Sequence, residues 1–259
     1  MDLKSTCLVV GGSVCSFKLL NTILRFLPTP ELARKKSWQW RNISTSLAHS
    51  SLSGAWAVLC FYLQPQMLED LIFHHSLLSH SLVAVSTGYF IYDCLDVALN
   101  QPCKQSCEVL LHHAAVIIFT PRVLALTSRL YVGYCVISLL VEINSVFLHI
   151  RQLLLHSGRR NRQGTHIKAP RPSVTYSVIS WVNLGTLLVF RVCTLVWMSR
   201  WLAAHSERIP RYVLMIGTTG LSLISITNIV LLHRLLMADF LSSRHNTSKD
   251  HERKPVSPE

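Results

Sequence analysis

Apolar residues in this chain run in blocks about as long as a bilayer crossing, separated by short polar and basic stretches. Seven blocks are read, at 3–27, 43–63, 80–99, 108–126, 130–155, 174–202 and 213–236. The pattern predicts an all-α protein, a polytopic bundle of transmembrane helices. The first block resembles the core of a signal peptide. However, Lys18 interrupts it and no small-x-small cleavage site precedes Pro28, so an uncleaved helix is expected. The fourth block is interrupted by Pro121 and Arg122 near its far end. From Ser242 onward the chain is polar, with Pro255 and Pro258, and a disordered tail is expected there.

Composition strengthens this reading. Half of the 259 residues are hydrophobic and only 15% are charged, against about 25% in a soluble domain. Mean hydropathy is +0.35. These values exclude intrinsic disorder, a disulfide-rich secreted module and a nucleic-acid-binding tail protein.

The net charge of +12 sets orientation rather than partner. Basic residues gather after block 1 (Arg25, Arg34, Lys35, Lys36, Arg41), between blocks 5 and 6 (Arg151 to Arg171) and in the tail (Arg234 to Lys254), with Lys104 in the third loop. The opposite side carries fewer: Lys4, Arg122, Arg129, Arg200, Arg208 and Arg211. Positive charge favours the cytosolic face, so the N-terminus is expected outside and the C-terminus inside. Some of these charges could meet anionic lipid head groups. Cys103 and Cys107 then fall in a reducing compartment, as spare thiols or sites of S-acylation. The sequons at Asn42 and Asn246 are expected to stay unmodified. Trp38, Trp40, Trp197 and Trp201 suit interfacial belts or burial in the bundle.

Polar groups at bilayer depth are costly and usually face the bundle interior. Tyr89, Asp93 and Asp96 are spaced i, i+4, i+7, on one helical face. A short loop leads from them to Glu108, His112 and His113, so the two helices form an antiparallel hairpin with these groups at similar depth. Ser138, Glu142, Ser145 and His149 make a third stripe. Together they predict a polar cavity opening toward the cytosol. The plainer alternative is that they pair only to hold helices together, at about 0.6 kcal/mol per contact. His112 and His113 are adjacent and diverge by about 100° on a helix, so no metal site is expected. His74, His75 and His80 read as a surface cluster. Arg191, alone in block 6, is expected to pair with a carboxylate or to snorkel outward. No phosphate loop, nucleophile elbow or dinucleotide fingerprint is present.

The run Trp38-Gln-Trp-Arg-Asn42, with Thr45-Ser-Leu-Ala-His-Ser50, resembles the start of a TLC domain. The resemblance continues through Gly88-Tyr-Phe-Ile-Tyr-Asp93, Leu110-Leu-His-His113, Leu139-Leu-Val-Glu-Ile-Asn144 and Phe147-Leu-His-Ile-Arg151. It implies a preceding helix in residues 1–32, a six-helix TLC domain over 33–240 enclosing a lipid-accessible cavity, and a tail at 241–259. Ceramide synthases of this family join an acyl-CoA to a sphingoid base with a His-His pair and two acids spaced D-x-x-D. His112 and His113 match the pair, and Glu142 stands at the first acid. Ser145 stands where the second acid belongs, a departure that argues against acyl transfer.

The members most similar in these segments imply a multi-pass plasma-membrane protein, with the endoplasmic reticulum as the alternative location. Their implied role is to limit polyunsaturated phospholipids and make the membrane more rigid. The lipid-lining residues are then Tyr89, Asp93, Asp96, His112, His113, Glu142, Ser145 and His149. The partners are phospholipids or acyl lipids and conceivably another membrane protein, with no cofactor and no nucleic acid. The alternative reading is a ceramide-synthase-like acyltransferase with His112 or His113 as base and Asp93, Asp96 and Glu142 as acids.

Overall fold

The computed structural model describes residues 2–101, 103–118, 122–159 and 173–241; the side chains of 103–109, 122–124 and 240–241 fall outside that set. The described residues form helices and no strands. α1 (Leu3–Ile23), α2 (Ser37–Leu63), α3 (Leu77–Asn100), α4 (Cys103–Ile118) and α5 (Arg122–Ser128) are followed by α6 (Val132–Ser138) and α7 (Glu142–His156). α8 (Val174–Thr186), α9 (Thr194–Ala204) and α10 (Arg211–Leu236) complete the chain.

Seven spans were expected, and the described helices fall on each of them. Among the described residues, five stretches are long and apolar enough to cross a membrane: Leu3–Ile23, Leu77–Asn100, Val132–His156, Val174–Ala204 and Arg211–Asp239. α2 has the length, at 27 residues, but its buried face carries Thr45, Ser46, His49, Ser50 and Ser53, which lowers its hydropathy. The fourth expected span falls on α4, described to Ile118, and α5, described from Arg122; residues 119–121 between them lie outside the described set. The expected tail, the loop basic residues from Arg160 to Arg171, and the side chains of Cys103, Cys107 and Glu108 lie outside the described residues.

α3 is the axis of the bundle. Ser76 and Ser79 cap its start reciprocally, each side chain taking the other's backbone N–H. Its buried residues cover nearly the whole circumference from Ser79 to Val97, because α1, α2, α4 and α6 surround it. Small and polar residues set the approach of α1. Thr6, Ser13, Phe17 and Asn21 are its buried positions. Ser13 Oγ donates to the Val85 carbonyl at 2.7 Å, and Thr6 Oγ1 lies 3.0 Å from His80 Nε2. A Cβ on Gly88 would stand 2.5 Å from the Val10 carbonyl oxygen and 2.6 Å from Ser13 Cβ, so only glycine admits this crossing. α2 closes on α7 in a similar way, with Gly54 against Ile143. Leu8, Leu19, Tyr62, Trp181, Met215 and Ile229 remain exposed on the outer surface, where a bilayer would solvate them.

Three irregular turns interrupt the long helices. A 3₁₀ turn, Leu139–Val141, separates α6 from α7. A π turn, Leu187–Cys193, separates α8 from α9. A second π turn, Met237–Leu241, ends α10.

Candidate functional site

The expected stripes meet inside the bundle, in two groups rather than one. The first lies toward the end that carries the basic loops. Asp93, 2% exposed, accepts a hydrogen bond of 2.6 Å from Asn42 Nδ2, and His113 Nδ1 stands 3.1 Å from its other oxygen. Asn42 also reaches Asp96 Oδ2 at 3.3 Å, and Trp38 Nε1 donates to the same oxygen at 2.9 Å. Two carboxylates one helical turn apart are thus held by an amide, an indole and an imidazole. Tyr89 takes no part in this set; its ring stacks on His49 at 3.7 Å and 8°.

The second group surrounds an apolar cavity in the half of the bundle away from the basic loops, lined by Phe90, Val116, Tyr134, Leu195, Met198 and Leu221 among others. It has about 50 Å³ of free space. His112 and Glu142 supply an imidazole and a carboxylate to its wall, beside Tyr134, Cys135 and Ser138. Glu142, 8% exposed, accepts from Ser50 Oγ at 2.8 Å. His112 Nδ1 lies 3.3 Å from Thr227 Oγ1, whose own proton goes to the Ile224 carbonyl at 2.9 Å. The two histidines have ring centroids 5.7 Å apart and different partners, Asp93 for His113 and Thr227 for His112.

Ser145 accepts a hydrogen bond of 2.8 Å from Arg191 Nη2. Arg191 Nη1 donates to Asn228 Oδ1 at 2.7 Å. The expectation that Arg191 pairs with a carboxylate or snorkels outward is therefore corrected: it is buried and held by two neutral oxygens. The reason lies in the π turn that carries it, which packs against the turn before Glu142. His149 sits half-buried on α7, one turn beyond Ser145. Among the described residues no group of three His, Cys, Asp or Glu side chains converges to hold a metal ion.

Sequence reasoning did not assign Asn42, Trp38, Ser50, Thr227 or Asn228 to the site. Asn42 reads as a sequon and Trp38 as an interfacial aromatic; the one available signal was their place in the run Trp38–Asn42 that resembles the start of a TLC domain. Asn228 and Thr227 carry no local signature at all. Asn144, fully buried, ties α7 to α8 by donating to the Asn183 carbonyl at 2.9 Å and Thr186 Oγ1 at 3.0 Å.

Comparison with known proteins follows the same segments. The sequence is 49% identical to TLC domain-containing protein 2 of Danio rerio over 94% of both chains. It is 42% identical to the Homo sapiens protein of that name, over 95% of this chain and 89% of the relative. It is 34% identical to TLC domain-containing protein 1 of Gallus gallus, over 91% and 88%. No solved structure matches. A sequence model described as TLC domain matches residues 39–238, which takes in Asn42, both aspartates, the histidine pair, Glu142 and Arg191. The chain is a membrane protein of the TLC domain family.

Proposed function

We propose that this protein acts on the acyl-chain composition of membrane phospholipids, limiting polyunsaturated chains and making the plasma membrane more rigid. The observation that carries the reading is the juxtaposition of an apolar cavity with His112 and Glu142 in its wall. Apolar walls with a few convergent polar groups are the usual form of a site for a small amphiphile. The names of the relatives state a domain and no lipid, so the role rests on the site and on the family resemblance.

The test is an inventory of acyl chains in phosphatidylethanolamine and phosphatidylcholine from cells lacking the protein, re-expressing it, or expressing His112→Ala. Loss should raise polyunsaturated species, and re-expression should reverse the rise. His112→Ala should leave protein level intact and fail to reverse it. Unchanged lipids on loss of the protein would sink the proposal. If the groups serve only to hold helices together, lipid changes in the variant should track its abundance instead.

A second reading, acyl transfer, is favoured by one observation: the imidazole of His112 and the carboxylate of Glu142 lie in the wall of one cavity. In that chemistry an acceptor amine or hydroxyl loses its proton to the imidazole as it attacks a thioester carbonyl, and the CoA thiolate leaves. Purified protein in nanodiscs with labelled acyl-CoA and sphingoid or lysophospholipid acceptors separates the two. Product above a His112→Ala, His113→Ala control would establish turnover.

A further inference from the structure

A cation buried in a membrane protein ordinarily finds a carboxylate, and Arg191 does not. It is 7% exposed. Its two Nη atoms donate to Ser145 and Asn228, both neutral, and its Nε has no hydrogen-bond partner among the described residues. Neither ion pair of the described residues includes it. Glu142 acts on it through space, but that carboxylate is held by Ser50. A guanidinium left so is costly at bilayer depth and offers two geometries that suit an anion, the flat fork and the spare Nε–H.

Its place in the fold says which anion. Arg191 precedes the cavity residue Leu195 by four positions, Asn228 follows Ile224 by four, and Ser145 follows Glu142 by three. On helices such spacings are one turn on the same face, so the three groups close one end of the apolar cavity. Both backbone irregularities of the central bundle lie here, the π turn around Arg191 and the 3₁₀ turn before Glu142. Such turns within long helices concentrate at functional positions.

We propose that Arg191 receives the carboxylate of an unesterified long-chain fatty acid whose hydrocarbon tail lies in the apolar cavity. A single planar charge at the head and an unbranched apolar tail match one guanidinium at the end of a narrow apolar slot. A phosphate head group brings more charge than one cation meets, next to Glu142, and more bulk than an enclosed position admits. The present free space of about 50 Å³ is smaller than the tail, so the lining helices, α9 and α10 among them, must move apart to admit it. This inference deepens the proposed role, because a protein that governs acyl-chain composition gains a site that senses free acyl chains.

The experiment uses the full chain in phosphatidylcholine nanodiscs with a photoactivatable palmitate. The probe should label α9 or α10, with excess oleate displacing it and neither methyl oleate nor lysophosphatidic acid doing so. Ser145→Asp places an internal carboxylate against Arg191 and should weaken labelling about tenfold, as loss of one charge-assisted contact implies, without lowering thermal stability. The same-sized, uncharged Ser145→Asn should lose less than about threefold. Equal displacement by the methyl ester would overturn the proposal, as would full labelling of a folded Ser145→Asp protein. Displacement by lysophosphatidic acid alone would overturn it in favour of a phosphate head. Acyl inventories on the same proteins keep the two claims apart. A protein that shifts phospholipid composition without binding palmitate refutes the fatty-acid site alone, and one that binds palmitate without shifting composition refutes the proposed role alone.

Discussion

At Asp93 one carboxylate accepts a hydrogen bond from Asn42 at 2.6 Å and stands 3.1 Å from His113 Nδ1 as an ion-pair partner. Asp93→Leu would leave the Asn42 amide without this acceptor, at about 1–3 kcal/mol, and would remove the carboxylate beside His113. Asp93→Asn, which retains an acceptor oxygen, should be milder. Melting curves of the detergent-solubilised variants check the order; equal losses would mean that the charge itself, and not the pairing, is what matters. The pairing was half legible in the sequence. The i, i+4, i+7 spacing put Tyr89, Asp93 and Asp96 on one face, but facing does not name a partner: Tyr89 stacks on His49, while Asp93 binds a residue fifty-one positions away. Ser145 was legible as a departure from an acid spacing. Its partner was not, since Arg191 sits in a π turn that shifts every later residue of its helix by about a quarter turn relative to an ideal α-helix.

Helix ends and crossings carry the next level. At the basic-loop end, Arg151 grips Asp239 through two hydrogen bonds of 2.7 Å, and Tyr176 Oη donates to the same carboxylate at 2.6 Å. One acid thus joins α7, α8 and the end of α10. Asp239 carries no spacing signal in the sequence, because it gains its meaning only once the π turn Met237–Leu241 aims it inward. Breaking a buried pair by removing one partner costs about 3–5 kcal/mol, so Asp239→Ala should lower the melting temperature strongly. Replacing both ions, Arg151→Met with Asp239→Leu, should restore much of the loss; a double variant as weak as the single one would show that the apolar pair does not pack. At the α1–α3 crossing, Gly88→Ala forces a methyl against the Val10 carbonyl and Ser13. Overpacking of that kind costs about 1–3 kcal/mol, and Ser13→Gly should relieve part of it.

For the whole molecule, apolar block lengths were enough to predict an α-helical membrane bundle, since that property is summed over many residues and survives local error. They were not enough to place its irregular turns, Leu139–Val141 and Leu187–Cys193, which neighbouring helices stabilise. The charge asymmetry of the loops leads to an orientation: a tag before Asp2 should be reached by antibody on intact cells, and one after Glu259 only after permeabilisation. Reversed accessibility would refute it, and so would a glycan on Asn42, whose amide is engaged by Asp93 and Asp96. The crossing at Gly88 has a consequence for how the protein is made. α1 leaves the ribosome first, yet its main partner emerges only after α2 and the turn beyond it have been synthesised. Until then the hydroxyl and amide face of α1, from Thr6 to Asn21, stands open to lipid or to the insertion machinery. A nascent chain that halts before α3 therefore displays an unclaimed polar seam, which gives membrane quality control a ready mark of an unfinished bundle.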